Sequence, residues 1–198
     1  MSKVIADLSV SLDGFVAEPD DNPNQLFGWM FTGDVEVPTA LPGLAFRTSP
    51  ASADELRAAF TQVGALLSGQ RNFDLAGGWG GTHPMGVPVV VLTHEPPTDT
   101  SAYGDGVVFV TDGLERAVAQ AKAIAGHKDV GVASPSLVAQ CLDAGLLDAI
   151  RVNLVPVLLG NGVPFFANLA SAPIELDTPQ VVEGVGVTHL AYEVRARR

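Results

Sequence analysis

The sequence predicts an α/β domain on a mostly parallel sheet, and three observations carry that expectation. Short apolar runs such as Val4–Leu8, Val63–Ser68 and Val107–Val110 alternate with segments whose apolar residues recur at helical spacing. The runs are nearly continuous in Val, Leu and Ala, as strands covered on both faces are. After the last helical pattern come two alternating segments, Gln180–Glu183 and Val187–Arg195, joined through Gly184 and Gly186, which read as an antiparallel hairpin. At 198 residues the chain is expected to form one three-layer domain over 1–198 with antiparallel C-terminal strands.

The first strand, Val4-Ile5-Ala6-Asp7-Leu8, empties into Ser9–Ala17, where Asp13-Gly14 breaks regular structure because Gly readily takes φ > 0. Ligands of open α/β sheets gather at strand ends, which makes this bend the first candidate site. Residues 18–50 hold Pro19, Pro23, Pro38, Pro42 and Pro50 with Gly28, Gly33 and Gly43, too many breakers for a long regular element. Inside them Leu26, Phe27, Trp29, Met30 and Phe31 make an apolar knot, either core packing or a wall over a ligand. Ser52-Ala53-Asp54-Glu55 has capping-box spacing and predicts a helix with Leu56, Ala59, Phe60 and Val63 on one face.

The strand Val63–Ser68 ends at Gly69-Gln70-Arg71-Asn72-Phe73, where Gly opens a helix start of the kind that collects anions at free N–H groups. Gly77–Gly81 reads as a loop, and Pro88–His94 as a strand ending in Thr93-His94 before Pro96-Pro97. Asp112-Gly113-Leu114-Glu115 marks a helix start, with Leu114, Ala117, Val118, Ala121 and Ile124 inward as far as about Ala125. Val130–Ala133 is a strand, and Ser134-Pro135 supplies an N-cap and the proline favoured at the first helical position. The following helix runs to near Gly145 and places Cys141 on its apolar face, a small core residue rather than a nucleophile. Ala149–Leu159 is an apolar strand broken by Pro156, which implies an edge, bulge or bend. Gly160-Asn161-Gly162 turns the chain into the apolar plug Pro164-Phe165-Phe166.

Charge and motifs exclude several functions. Eleven Lys and Arg against 22 Asp and Glu give a net charge of −11, which repels nucleic acid and anionic membranes, so neither is expected as a partner. The single cysteine, and the lack of a leader or an apolar run near ~18 residues, point to the cytoplasm. His-Glu-x-x-His, Gly-x-Ser-x-Gly and the phosphate loop ending in Gly-Lys-Ser/Thr are all absent, and no metal is expected. Three strand ends remain: Gly69–Asn72, Thr93-His94 and Ala133-Ser134-Pro135-Ser136. If their strands are parallel neighbours, these ends share one sheet edge and outline a dinucleotide cleft without Gly-x-Gly-x-x-Gly.

Five stretches in order, Ser11–Ala17, Gly69–Asp74, Val90–His94, Leu142–Asp148 and Pro156–Phe166, resemble the dihydrofolate reductase-like superfamily, in the group that contains the reductase domain of the bifunctional riboflavin-biosynthesis deaminase-reductase. The resemblance spans nearly the whole chain. It implies an NADPH-dependent reductase of a small pterin-, folate- or pyrimidine-like heterocycle, and a homodimer. Ala6, Gly14, Val16 and Ala17 would lie by the nicotinamide side of the cofactor, and Gly69, Gln70, Arg71 and Asn72 by its phosphates. Leu92, Thr93 and His94 would lie near the adenosine 2′-phosphate, where His94, if protonated, would favour NADP over NAD. Ala133, Ser134, Pro135 and Ser136 would complete the cofactor site.

Because the cofactor carries the hydride, little acid–base chemistry is asked of the protein. A carboxylate orienting or protonating the heterocycle would come from Asp13, Asp34 or Glu36, with Asp13 the catalytic candidate and also a turn residue. Trp29 and Phe27 would stack on the substrate, with Asp34 beside them. Two departures from the group's pattern stand out. Gln70 and Asn72 replace Arg and Thr, and Ala133-Ser134 replaces paired glycines that let backbone approach the cofactor. They motivate an alternative, a non-catalytic nucleotide-binding or interaction module that retains the fold.

Overall fold

Val4–Ser11 forms β1 in a computed structural model that describes residues 2–195. Strand pleating sends Val4, Ala6 and Val10 into the core on one face and Asp7 and Ser9 to the other. β2 (Phe15–Ala17) follows the bend, then α1 (Asn24–Phe27), a 3₁₀ turn over Gly28–Phe31, the antiparallel pair β3 (Val35–Pro38) and β4 (Ala45–Thr48), and α2 (Pro50–Gln62). β5 (Val63–Gly69), α3 (Gln70–Leu75), β6 (Val89–Leu92), β7 (Val107–Val110), α4 (Leu114–Ala125), β8 (Asp129–Val132) and α5 (Pro135–Asp143) alternate strand and helix. β9 (Ala149–Val155), β10 (Val163–Pro164), β11 (Gln180–Gly184) and β12 (Val187–Glu193) end the order.

The main sheet runs β11-β12-β9-β1-β8-β5-β6-β7. Every pairing from β9 to β7 is parallel, and β12 joins β9 and β11 antiparallel, which is the expected architecture. Since β8, β5 and β6 are adjacent and parallel, the three predicted strand ends do share one edge.

One face of the sheet is packed by α4 and α5, where Ala117, Val118, Leu137 and Val138 meet Val4, Ala6, Leu67 and Val90. Each fully buried Leu or Val there is worth about 1.5–3 kcal/mol of burial. Cys141 lies in this layer, and burial pushes its thiol up to about 12, so it is inert. The opposite face is covered in two patches, Leu26 and Trp29 on Val155 and Val187, and Phe73 on Val89 and Val91.

Several local expectations are corrected. The capping box at Ser52 does not form: Ser49 is the N-cap, its Oγ accepting the Ser52 N–H at 3.4 Å, and Pro50 takes the first helical position. Ser52 lies inside α2, fully buried, with its hydroxyl 2.8 Å from His189 Nε2. Gly184 makes this contact possible, because a Cβ there would sit 2.3 Å from Ser52 Oγ. Val63 begins β5 rather than continuing the helical face. The breaker-rich stretch holds the β3–β4 pair, a separate two-stranded ribbon in which Pro38 at a strand end costs no ladder bond. Asp112 does not cap α4; Gly113, at φ 95°, occupies the N-cap without a side-chain bond. Pro156 ends β9 as a bend, and β9 is no edge, being flanked by β1 and β12.

Candidate active site

The residues just beyond β5, β6 and β8 open into one cavity of about 1370 Å³. That exceeds the ~300–1,000 Å³ usual for one small ligand, so two can fit side by side. Gly69, Gln70, Arg71, Asn72, Leu92, Thr93, His94, Ala133, Ser134, Pro135 and Ser136 all line it, as do Val16, Ala17, Phe27 and Trp29. Ala6, Asp13, Gly14 and Asp34 do not. Ala6 is buried beneath the α4–α5 layer, and Asp34 is exposed before β3. The Asp13 carboxylate accepts from the Ser11 hydroxyl at 2.6 Å and from the Gly160 and Leu159 N–H groups at 2.7 and 3.2 Å. The Ser11 bond, then those backbone bonds, hold it below the ordinary carboxylate range, and Asp13 ties the bend to the turn after β9.

At the strand ends the departures from the family pattern acquire a geometry. Ser134 is buried, and its Oγ accepts the Gly69 N–H at 2.8 Å instead of capping α5. The amino ends of both α4 and α5 therefore carry no side-chain cap, and Gly113, Leu114 and Ser136 border the cavity there. Gln70 Nε2 is held by Asp74 at 2.6 Å while its Oε1 is buried with no partner, an acceptor for a hydroxyl or amide donor. Asn72 bonds Ser68 Oγ at 3.1 Å, and Arg71 pairs with Asp21 at 2.5 Å across the opening. Two uncapped helix ends and a lone acceptor fit the phosphates and ribose hydroxyls of a dinucleotide.

The other half of the cavity has a polar floor. Asn153 Nδ2 donates to Asp7 Oδ1 at 2.9 Å, His189 Nδ1 meets Asn153 Oδ1 at 2.7 Å, and Ser52 Oγ meets His189 Nε2 at 2.8 Å. With its amide nitrogen on the carboxylate, Asn153 presents oxygen to His189, which assigns the ring proton to Nδ1 and makes Nε2 the acceptor of the Ser52 hydroxyl. Burial lowers the His189 pKa against the pull of Glu55, which suits this neutral tautomer. Burial raises that of Asp7 against the opposing Arg151 charge and the Asn153 bond. Trp29 donates Nε1–H to Ser9 Oγ at 3.1 Å and stands edge-on to His189 at 5.2 Å. On the far wall Trp79 and His83 lie 4.9 Å apart, edge-on. Burial pushes the His83 pKa down to about 4.

Asp7, Ser9, Arg151, Asn153 and His189 are the residues that sequence reading missed. Their one local signal is polar alternation inside apolar strands, Asp7 with Ser9 and Arg151 with Asn153, but which strands share that face depends on the order β12-β9-β1.

Comparison with known proteins agrees with this architecture. The RibD C-terminal domain family profile matches residues 2–182. Among solved structures, a protein of Shewanella sp. PV-4 assigned to riboflavin biosynthesis aligns over 99% of this chain and 100% of its own, with 22% identity and a TM-score of 0.73. Dihydrofolate reductase from Enterococcus faecalis, complexed with NADP(H) and RAB-propyl, aligns over 98% and 97% at 15% identity and a TM-score of 0.58. Acinetobacter baumannii RibD aligns over 99% of this chain at 15% identity and a TM-score of 0.64, and this chain spans 59% of that one. A search of curated proteins finds no match. The chain belongs to the RibD C-terminal domain family, and is thus an oxidoreductase-family domain of the dihydrofolate reductase-like kind.

Proposed function

We propose that the protein is an NADPH-dependent reductase that transfers hydride to a pterin-, folate- or pyrimidine-like heterocycle. The observation that carries this reading is one continuous cavity joining the ends of β5, β6 and β8 to the polar floor of Asp7, Asn153 and His189. NADPH, when bound, supplies the hydride. The uncapped starts of α4 and α5 hold its phosphates, Gln70 Oε1 accepts from a ribose hydroxyl, and Thr93 and His94 border the adenosine end. Val16 and Ala17 pack beside the nicotinamide, and Trp29 and Phe27 wall the substrate. Asp7, not Asp13, has a carboxylate at the cavity floor, so it orients the heterocycle.

A second reading, a nucleotide-binding module without catalysis, is favoured by the Ser134–Gly69 bond, which takes up a backbone donor at the strand end. The two separate in one experiment, a titration of the protein with NADPH followed by cofactor fluorescence and then by single-turnover oxidation with dihydrofolate or pteridine substrates. Binding followed by oxidation is the expected result. Binding without oxidation supports the module, and no binding at near-millimolar cofactor sinks both. The reading includes a cytoplasmic homodimer, supported by the single buried cysteine and the open edge of β11, where Val181 is exposed. Light scattering at micromolar protein should show the dimer, and a monomer would contradict it.

A further inference from the structure

A row of hydrogen bonds runs from the start of α2 to the Asp7 carboxylate, and its direction is set at the end far from the cavity. Ser49 Oγ lies 3.4 Å from each of two backbone donors, the Ser52 and Val185 N–H groups. Both of its lone pairs are thereby engaged, so its proton is left for Ser52 Oγ at 3.1 Å. Ser52, fully buried, accepts that bond and donates its own proton to His189 Nε2 at 2.8 Å. The ring proton is then on Nδ1, which donates to Asn153 Oδ1 at 2.7 Å. Asn153 Nδ2 donates in turn to Asp7 Oδ1 at 2.9 Å.

Such a chain has two polarities, and the backbone selects one. With the proton on His189 Nε2, Nδ1 would be an acceptor, Asn153 would turn its amide nitrogen to the ring, and its oxygen would face the Asp7 carboxylate. A hydroxyl, an imidazole and an amide can each reverse, but a main-chain N–H only donates, so the two N–H groups on Ser49 hold the whole row one way. Buried bonds aligned head to tail also polarise one another. Gly184 leaves the room this needs: a Cβ there would lie 2.3 Å from Ser52 Oγ and 3.3 Å from His189 Nε2. Burial raises the Asp7 pKa; Arg151 of β9 and the Asn153 bond act against it, and Glu55 of α2 acts with it. Glu55 is also the charge that acts on His189.

We infer that Ser52 and His189 are positioning residues for Asp7: they fix the Asn153 amide so that Asp7 Oδ1 is committed to the sheet, and Oδ2 is the oxygen that meets a ligand and carries the proton when the acid is protonated. Asp7 lines the cavity, and its Oδ2 accepts no hydrogen bond from the described residues. Ser52 is not among the lining residues, so its influence on a ligand passes through His189 and Asn153. The inference rests on the reductase reading for what that ligand is. The polarity of the chain belongs to the protein by itself.

NMR of the full chain, isotope-labelled at the histidine nitrogens and the aspartate carboxyl carbons, tests it. His189 should be the neutral Nδ1–H tautomer at neutral pH. Ser52→Ala removes the hydroxyl that keeps Nε2 an acceptor, and should give mixed tautomers and move the Asp7 titration to higher pH, since the ionised carboxylate is then held less firmly. His189→Leu should move it further, because Asn153 Oδ1 loses its donor and the amide is free to turn. A role in packing alone would lower the Tm of both variants and leave the Asp7 titration where it is. Should His189→Leu fail to fold, the tautomer of the unaltered protein and Ser52→Ala decide. The Nε2–H tautomer in the unaltered protein, or an Asp7 titration unmoved in either folded variant, overturns the inference. A fluorescence titration with NADPH separates it from the reductase reading. The Nδ1–H tautomer without NADPH binding defeats that reading alone, and NADPH binding with the Nε2–H tautomer defeats this inference alone.

Discussion

The two faces of one sheet are built from the same strands and do opposite things. On the α4–α5 face, Val4, Ala6, Leu67, Val90 and Val132 meet apolar helix residues and leave a closed core. On the other face β1 and β9 turn Asp7, Ser9, Arg151 and Asn153 outward, α2 stands off, and the cavity opens between them. A period-two strand lets one segment serve packing and chemistry at once, each face nearly independent of the other. Stability should therefore reside mainly in the first face and ligand selection in the second.

The largest expected effect comes from breaking the packed face. Leu67→Ala removes a fully buried side chain and should cost about 2–5 kcal/mol in urea unfolding. On the cavity face, Leu56→Ala should cost about 1 kcal/mol or less, because Leu56 is only half-buried and already borders open space. Equal losses would erase the contrast between the faces.

Next in size is a pH dependence belonging to the cavity face. His83 has a folded pKa of about 4 against an ordinary 6.5, so the unfolded chain takes up the proton first as pH falls. Its contribution is complete above about pH 6.5, declines between 6.5 and 4 and is flat below. The loss is of the order of 2 kcal/mol, read as several degrees in Tm. His83→Gln should flatten the Tm profile over that interval, and an unchanged profile would place the titration elsewhere.

Ser134→Gly sharpens the comparison at the boundary of the two faces. Losing the bond to Gly69 should cost about 1 kcal/mol in stability. It should also free the Gly69 N–H and tighten NADPH by about threefold to tenfold in a fluorescence titration. Weaker NADPH binding would mean that Ser134 helps hold the cofactor. Smallest is Arg71→Ala, which removes an exposed guanidinium from the largely covered Asp21 and should change stability by about 1 kcal/mol or less in the same unfolding assay.

What was legible in the sequence divides along the same line. The packed face could be read because local periodicity states it: Leu114, Ala117, Val118 and Ala121 repeat at helical spacing, and Val89–Leu92 is apolar throughout. The strand ends could be read because Gly69, Thr93 and Ser134 follow such runs. The Asp7–Asn153–His189–Ser52 chain could not, because it joins residues on β1, β9, β12 and α2 whose meeting depends on the sheet order. Ser52 also looked like a cap in sequence, but Ser49, in extended backbone before Pro50, takes that place and leaves Ser52 inside the helix. Asp13 drew attention as an exposed acid in a bend, and its hydrogen bonds to the distant turn at Leu159–Gly160 have no local signature.

The central claim is that one cavity divides into a cofactor half at the strand ends and a substrate half over Asp7. A crystal of the protein soaked with NADPH tests it most directly. The account predicts the cofactor across the ends of β5, β6 and β8, its phosphates at the starts of α4 and α5, its nicotinamide beside Val16 and Ala17, and the floor at Asp7 and Asn153 left clear. NADPH lying over Asp7 and against Trp79, or bound outside the cavity, would contradict it.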